Sequence, residues 1–295
     1  MGTVYIAIIL VCRVAQSLCN KQTSEKISNI SRFFKYSAFS QLLSAFLALM
    51  LILIAQNGFS CNVTTLAISS FSGTMLVLGS WFNILALKNG TIALASMFGT
   101  AGILIPCIAG IFLFDTPMSP GQWSGVGLFF LAAYFLISSS SRIYSRFSVK
   151  AFFLLLGVMF TNGFTMLAQQ MFTFYVPNGD VSVFSFLSFG IVGVFMLIMS
   201  LAHTETRKAD QEETKLTAKL LCLGTVLSIA VFVINQLATL ATALVPPAVL
   251  FTFINGGGTI ISAIVAALCF HERLTAKSIT GIILGVLSMV LVKAM

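Results

Sequence analysis

"FDTPMSPGQWSGVGLFFL" (residues 114–131) and "FHERLTAKSITGIILGVL" (residues 270–287) are one passage written twice, 156 residues apart. Without a gap, Phe114 falls on Phe270, Gly125 on Gly281, Leu128 on Leu284 and Leu131 on Leu287. Ser119 and Ser124 fall on Thr275 and Thr280. Each copy ends one apolar stretch, turns, offers a Ser or Thr where a helix begins, and enters a Gly-containing apolar run. In the first copy Ser119, Pro120 and Gln122 spell a capping box with proline at the first helical position. The offset holds elsewhere. Thr225, Ser228, Asn235 and Thr239 fall on Ser69, Ser72, Gly79 and Asn83, Ser96 falls on Thr252, and Gly102 on Gly258.

The surrounding chain is 295 residues long, 58% hydrophobic and 8% charged. Soluble domains carry about 25% charged residues, so composition excludes that class. A membrane-spanning helix needs roughly 20 mainly apolar residues. Ten stretches qualify: about 3–20, 34–56, 65–87, 91–114, 120–140, 150–173, 181–202, 217–239, 246–270 and 276–294. They lack the alternation of a transmembrane barrel. The expected fold is an all-α membrane protein of ten transmembrane helices. The repeat divides it into two five-helix units, residues 1–147 and 148–295, in one integrated membrane domain. Five is odd, so the second unit enters the bilayer inverted, and the two surround a central cavity. Inverted repeats place their substrate near the midplane, where the repeats meet.

Charge distribution gives an orientation. The net charge is +8. Lys21, Lys26, Arg32, Lys35, Lys88, Arg142, Arg146, Lys150, Arg207, Lys208, Lys215, Lys219, Arg273 and Lys277 all fall at loops that follow odd-numbered spans. The other loops have no basic residue. The positive-inside rule puts the basic loops in the cytoplasm and both termini outside. This pattern accounts for the charge without nucleic acid. The six cysteines form no CxxC pair, and neither a metal site nor a cofactor is expected. His203 and His271 are the only histidines, both at span ends. With no HExxH and no nucleophile elbow, an enzyme is not expected. "INGGGTIIS" (254–262) lacks the Lys-Ser/Thr of a phosphate loop. Its glycines are read as close packing, against Gly99 and Gly102, or as local unwinding. Pro106 is expected to kink the fourth span.

The ten-span plan, with an acidic-x-Leu-Ser/Thr pattern and a glycine six residues on (Glu272, Leu274, Thr275, Gly281), resembles the EamA-like family of the drug/metabolite transporter superfamily. The resemblance covers nearly the whole chain. It implies a transporter, usually outward-moving, of small metabolites through a central cavity. The first copy departs from the pattern, with Thr116 where Glu272 stands and Asp115 one place earlier. The external termini also differ from the cytoplasmic termini of many members.

Polar side chains that face lipid cost free energy, so polar stripes are expected to face protein or water. Stripes run along span 1 (Arg13, Gln16, Asn20), span 3 (Ser69, Ser72, Ser80, Asn83, with Trp81), span 6 (Asn162, Thr165, Gln169), span 8 (Thr225, Ser228, Asn235, Gln236, Thr239) and span 9 (Thr252, Asn255, Thr259, Ser262). A cavity lined by spans 1, 3, 4, 6, 8 and 9 follows, with 5 and 10 outside it. Small polar residues also serve as packing surfaces between membrane helices, and that bland role competes at every Ser and Thr. The substrate-binding candidates are Arg13, Gln16, Trp81, Asn83, Gln169, Asn235, Gln236 and Asn255. Arg13 is registered with Gln169. It has no carboxylate deep in any span to neutralise it. It either holds a substrate carboxylate or phosphate or snorkels toward the first loop. The expected function is secondary transport, outward in direction, of a small polar metabolite such as an amino acid or another carboxylate-bearing compound, by alternating access. A non-transporting structural or sensory membrane protein, or a small-multidrug efflux carrier, is the alternative. The expected partners are a small-molecule substrate and the lipid bilayer of the cell membrane, with room for a homodimer.

Overall fold

The computed structural model describes residues 1–24, 26–27, 30–55, 59–89, 98–115, 117–138, 149–205, 216–258, 260–261, 264 and 275–294. Most of these are helical, with no strand among the described residues. The helices are α1 (Gly2–Ser24), α2 (Ile30–Ala55), α3 (Val63–Asn89), α4 (Leu104–Leu113), α5 (Pro120–Ser138), α6 (Val149–Tyr175), α7 (Val181–Glu205), α8 (Ala218–Thr242), α9 (Pro247–Phe251) and α10 (Ala276–Ala294). A π-helical turn, Thr252–Gly257, continues α9. Six apolar stretches are long enough to cross a membrane: Gly2–Asn20, Ile30–Ala55, Val63–Asn83, Phe152–Tyr175, Val181–Ala202 and Ala218–Thr242. Phe98–Leu113, Pro247–Gly257 and Ile279–Val292 are shorter apolar helices. Large apolar side chains stand on the outside, among them Ile54, Phe153, Leu201 and Ile283. An apolar exterior of this extent is a membrane-facing surface.

Local chemistry starts and stops these helices. The Ser119 N–H donates to Gln122 Oε1 and the Gln122 N–H to Ser119 Oγ, both at 3.1 Å, so the expected capping box closes at the head of α5. Asn62 Oδ1 accepts the Thr65 N–H at 2.6 Å before α3, and Asp180 Oδ1 accepts the Ser182 N–H at 2.7 Å before α7. Asp115, with φ 47°, turns the chain between α4 and α5. The break in the fourth apolar helix falls just before Pro106. Proline has no N–H to give Gly102 O, and the Ile105 N–H takes that oxygen at 3.0 Å instead. Tight three-residue bonds from Gly102 to Gly99 (3.3 Å) and Ile103 to Thr100 (3.2 Å) surround it.

The helices pack in related pairs. α3 lies on α6 and α1 on α8; α3 lies on α7 and α2 on α8; α4 lies on α6 and the π turn on α1. α2 packs on α7, and α5 on α10. Exchanging each helix for the one five places along converts every one of these pairs into another or into itself. Two elements depart from the exchange: α8 also packs on α6 and α7, with no packing of like extent between α3 and α1 or α2 among the described residues, and the π turn packs on α5 and α10, where α4 does not to that extent.

Small residues set the closest approaches. A Cβ on Gly73 would sit 2.9 Å from Ile191 Cβ and 3.0 Å from Ser188 O, and one on Gly125 would meet Val292. Ser228 Oγ donates toward Ser40 O at 2.9 Å, Ser44 Oγ donates to Ser228 O at 3.1 Å, and all three serines are buried. Such contacts join helices without a hydrophobic driving force between them. They also correct the reading of two stripes. Ser69 and Ser72 are buried at 0% and 1% exposure, with the Ser69 carbonyl accepting Ser188 Oγ at 3.3 Å. Ser228 is locked to α2, and Thr225 is exposed and bonded to its own helix. These residues pack helices. The glycines of α9 also face elsewhere than expected. Gly256 meets Phe129, Gly257 meets Leu10 and Gly258 meets Arg13, whereas Gly99 and Gly102 lie on α6.

Candidate functional site

Loops between helices define two ends of the bundle, one basic and one free of basic residues. Toward the basic-free end the N-terminal halves of α1 and α9, the start of α4 and the C-terminal halves of α6 and α8 converge on one apolar cluster. It contains Ile6, Ile9, Ile103, Cys107, Met166, Ile234, Ala238, Ala241, Leu250, Phe251 and Ile254. Ile9, Ile103, Ala241 and Leu250 have no exposed surface. A cavity of about 240 Å³, lined by Cys107, Gly110, Met118, Gln122 and Pro246 to Ala248, sits over this plug. At the basic end the core is split. One cluster joins α1, α2 and α8 through Cys19, Tyr36, Leu220 and Leu227. Another joins α3, α6 and the start of the fourth apolar helix through Ala86, Leu155, Val158 and Phe98. A third cluster, Phe34 and Ala38 of α2, Val77 of α3 and Val192 and Met196 of α7, ties α2 to α3 through α7.

Arg13 lies just beyond the plug on the same face of α1 as Ile9, four residues earlier, and Ile6, seven earlier. Its half-buried guanidinium donates from Nη1 to Gln16 Oε1 at 3.1 Å. Nε is shut off from solvent and has no acceptor. Across from its stem is Gly258, where an added Cβ would sit 3.5 Å from Arg13 Cβ. Asn255, one turn earlier on the π turn, donates to its own Phe251 O at 3.0 Å and approaches Met166 Sδ at 3.9 Å.

A chain of amides and hydroxyls joins α6, α8 and α7. Gln169 Nε2 donates to Asn235 Oδ1 at 2.7 Å, and Asn235 Nδ2 donates to Ser185 Oγ at 3.1 Å. Ser185 Oγ donates to Gln236 Oε1 at 3.0 Å, and Gln236 Nε2 donates to Ser182 Oγ at 3.0 Å. One turn on, the hydroxyls of Thr173 and Thr242 lie 2.9 Å apart. The chain is sheltered, with Gln169 at 7% exposure and Ser185 at 0%. Gln170, at 5%, has its Oε1 enclosed without a partner.

The eight sequence candidates therefore form separate groups. Gln169, Asn235 and Gln236 share one network, Arg13 and Gln16 form a pair, and Asn255 stands on the π turn beside Met166. Trp81 stacks on Phe34 of α2, ring centroids 6.5 Å apart at 23°, and Asn83 is exposed. Neither joins the other six. Asn162, read as cavity-lining, donates to Gly99 O at 2.6 Å and ties α6 to the fourth helix. Ser96, Thr259 and Ser262 lie outside the described residues. Ser182, Ser185 and Gln170 were missed by sequence reasoning. The serines had a signal, because Ser182, Ser185 and Ser188 recur every three residues along one face of α7.

No protein-family model matches the chain, and no curated protein sequence matches it. A protein of known crystal structure shares its fold. The superposition covers 99% of this chain and 96% of the other, with a TM-score of 0.79 at 12% sequence identity. At that identity the likeness is one of fold.

Proposed function

We propose that this chain is a secondary transporter of a small polar metabolite, built as ten spans in two inverted five-helix repeats of the EamA-like kind. The observation that carries the reading is the packing exchange: α3·α6 with α1·α8, α3·α7 with α2·α8, and α4·α6 with the π turn on α1. That is the relation expected of two similar halves about a two-fold axis, and an odd number of helices in each makes them antiparallel. The 156-residue sequence offset relates the same helices.

Alternating access then assigns roles to the site. The plug closes the basic-free end, which the positive-inside rule places outside. The Gln169–Asn235 and Thr173–Thr242 bonds are the latch that holds α6 to α8 there. Arg13 and Gln16, with Asn255 and Gly258 opposite, form the floor beneath the plug. Transport requires the latch to part while the α1·α8 and α3·α6 units rock apart at the plug. Uptake by proteoliposomes tests the reading. A panel of radiolabelled amino acids and hydroxy acids should include one whose accumulation exceeds that of protein-free vesicles and is competed by its unlabelled form. Uniform leak across the panel would refute it.

A further inference from the structure

We infer that Arg13 binds the carboxylate or phosphate oxygens of the transported solute, so that the substrate is an anion or a zwitterion. The inference deepens the transporter reading and rests on it. Depth is the first observation. Arg13 is eleven residues past the start of α1 at Gly2, and Gly258 eleven past the start of α9 at Pro247. At 1.5 Å per residue both lie about 16 Å in, halfway across a hydrocarbon core of about 30 Å. Nη1 is held by Gln16, one turn along the same helix toward the first loop, and Nε is enclosed in the protein rather than carried out to an interface.

Charge is the second observation. Arg13 makes no ion pair with any described residue. Asp115, Asp180 and Glu205 lie at helix ends or between helices, and the remaining five acidic residues lie outside the described residues. Gln16 Oε1 is a neutral acceptor. It satisfies one N–H and supplies no counter-charge. A guanidinium has five N–H donors in a planar fork that matches the two oxygens of a carboxylate or phosphate. Here one donor is engaged, and the Nε edge faces no protein acceptor. Gly258 offers backbone with no side chain against the stem.

The test uses purified full-length protein and its thermal unfolding midpoint with millimolar probes in matched pairs. Glutamate is paired with glutamine, lactate with lactamide, succinate with succinamide, and glucose 6-phosphate with glucose; inorganic phosphate is added alone. One or more anions should raise the midpoint while the neutral counterpart does not. A response limited to carboxylates, or to phosphates, names the class. Arg13→Gln should raise the half-saturating concentration roughly 10- to 150-fold, the value of one charge-assisted hydrogen bond. Arg13→Lys, which keeps the charge and loses the fork, should fall between and covers the case in which Arg13→Gln does not fold. Equal responses to both members of each pair, an unchanged response in both variants, or no anion response at all would overturn the inference. Proteoliposome uptake separates the two readings. Anion binding lost with Arg13 but no uptake of the bound solute leaves the anion site standing without the transporter. Uptake of neutral solutes at equal rates in wild type and Arg13→Gln leaves the transporter standing without the anion site.

Discussion

Loosening the α6–α8 latch should expose Cys107. This thiol lies in the plug at 2% exposure and lines the cavity above it. Gln169→Leu removes the donor to Asn235 Oδ1, and Thr173→Val removes the hydroxyl that meets Thr242. Both bonds exist only while α6 and α8 stay together at the basic-free end. In the parted state water takes the freed groups, so the loss falls on the closed state. Hydrogen bonds between membrane helices average about 0.6 kcal/mol and reach about 1.7. One deletion should therefore raise the parted population about 3-fold, and about 18-fold at the upper bound; both together should raise it about 8-fold at the average value. The assay is the labelling rate of a variant with Cys107 as its only cysteine, using a membrane-impermeant thiol reagent from the basic-free side. When opening is faster than labelling, the rate follows the open population. Rates unchanged from the parent in the single and double variants would refute the latch, and so would faster labelling from the basic side alone.

Other outcomes follow from single contacts. Gly102→Ala puts a Cβ 2.7 Å from Met159 O and 2.8 Å from Gly163 N, both backbone, whereas Gly258→Ala, at the registered position, meets Arg13 Cβ at 3.5 Å. The first should lower the unfolding midpoint, at a cost of about 1–3 kcal/mol for overpacking, and the second should leave it unchanged; equal effects would contradict the backbone contact of the fourth helix with α6. Ser119→Ala opens the capping box and should cost about 1 kcal/mol, while Ser124→Ala, whose exposed hydroxyl bonds only to Gly121 O, should be silent in the same melt. A reporter fused after Met295 should read out on the external side of the membrane; a cytoplasmic signal would reverse the assignment of the plug to the outer face.

The helices were legible because membrane crossing demands length and apolarity, and both can be counted. The Ser119–Gln122 box was legible because capping is local, four residues deciding the geometry among themselves. The two serine stripes misled for a physical reason. A Ser on a membrane helix satisfies a cavity and a close helix contact equally well, and only the neighbouring chain decides. Ser228 found Ser40 and Ser44 on a helix some 180 residues away in sequence, and nothing in its own segment says so. The amide network was half legible. Gln169 and Asn235 stood out as costly polar groups in apolar spans, but their hydroxyl partners on α7 looked like ordinary packing residues. The displaced break before Pro106 shows the same limit, since the proline marks which carbonyl loses its donor but the fold decides how that oxygen is satisfied.

Arg13 and Gln169 occupy the same register in the two halves and meet opposite fates. A neutral amide at that depth can be satisfied from within the protein, and Gln169 is, by an asparagine on the adjacent helix. A guanidinium cannot be satisfied by amides alone, because its charge needs an opposite one and the spans contain none. Two chemically alike residues would give both halves the same closure. On the transport proposal, the registered glutamine and arginine divide the work, the one fastening helix to helix and the other left to meet a solute. The packing exchange also departs here, for α6 closes on α8 at Gln169 while α1 makes no approach of like extent to α3 among the described residues. One departure from the packing exchange thus falls where the sequence also departs, and on the transport proposal an anion held by Arg13 would supply what that side lacks for closing.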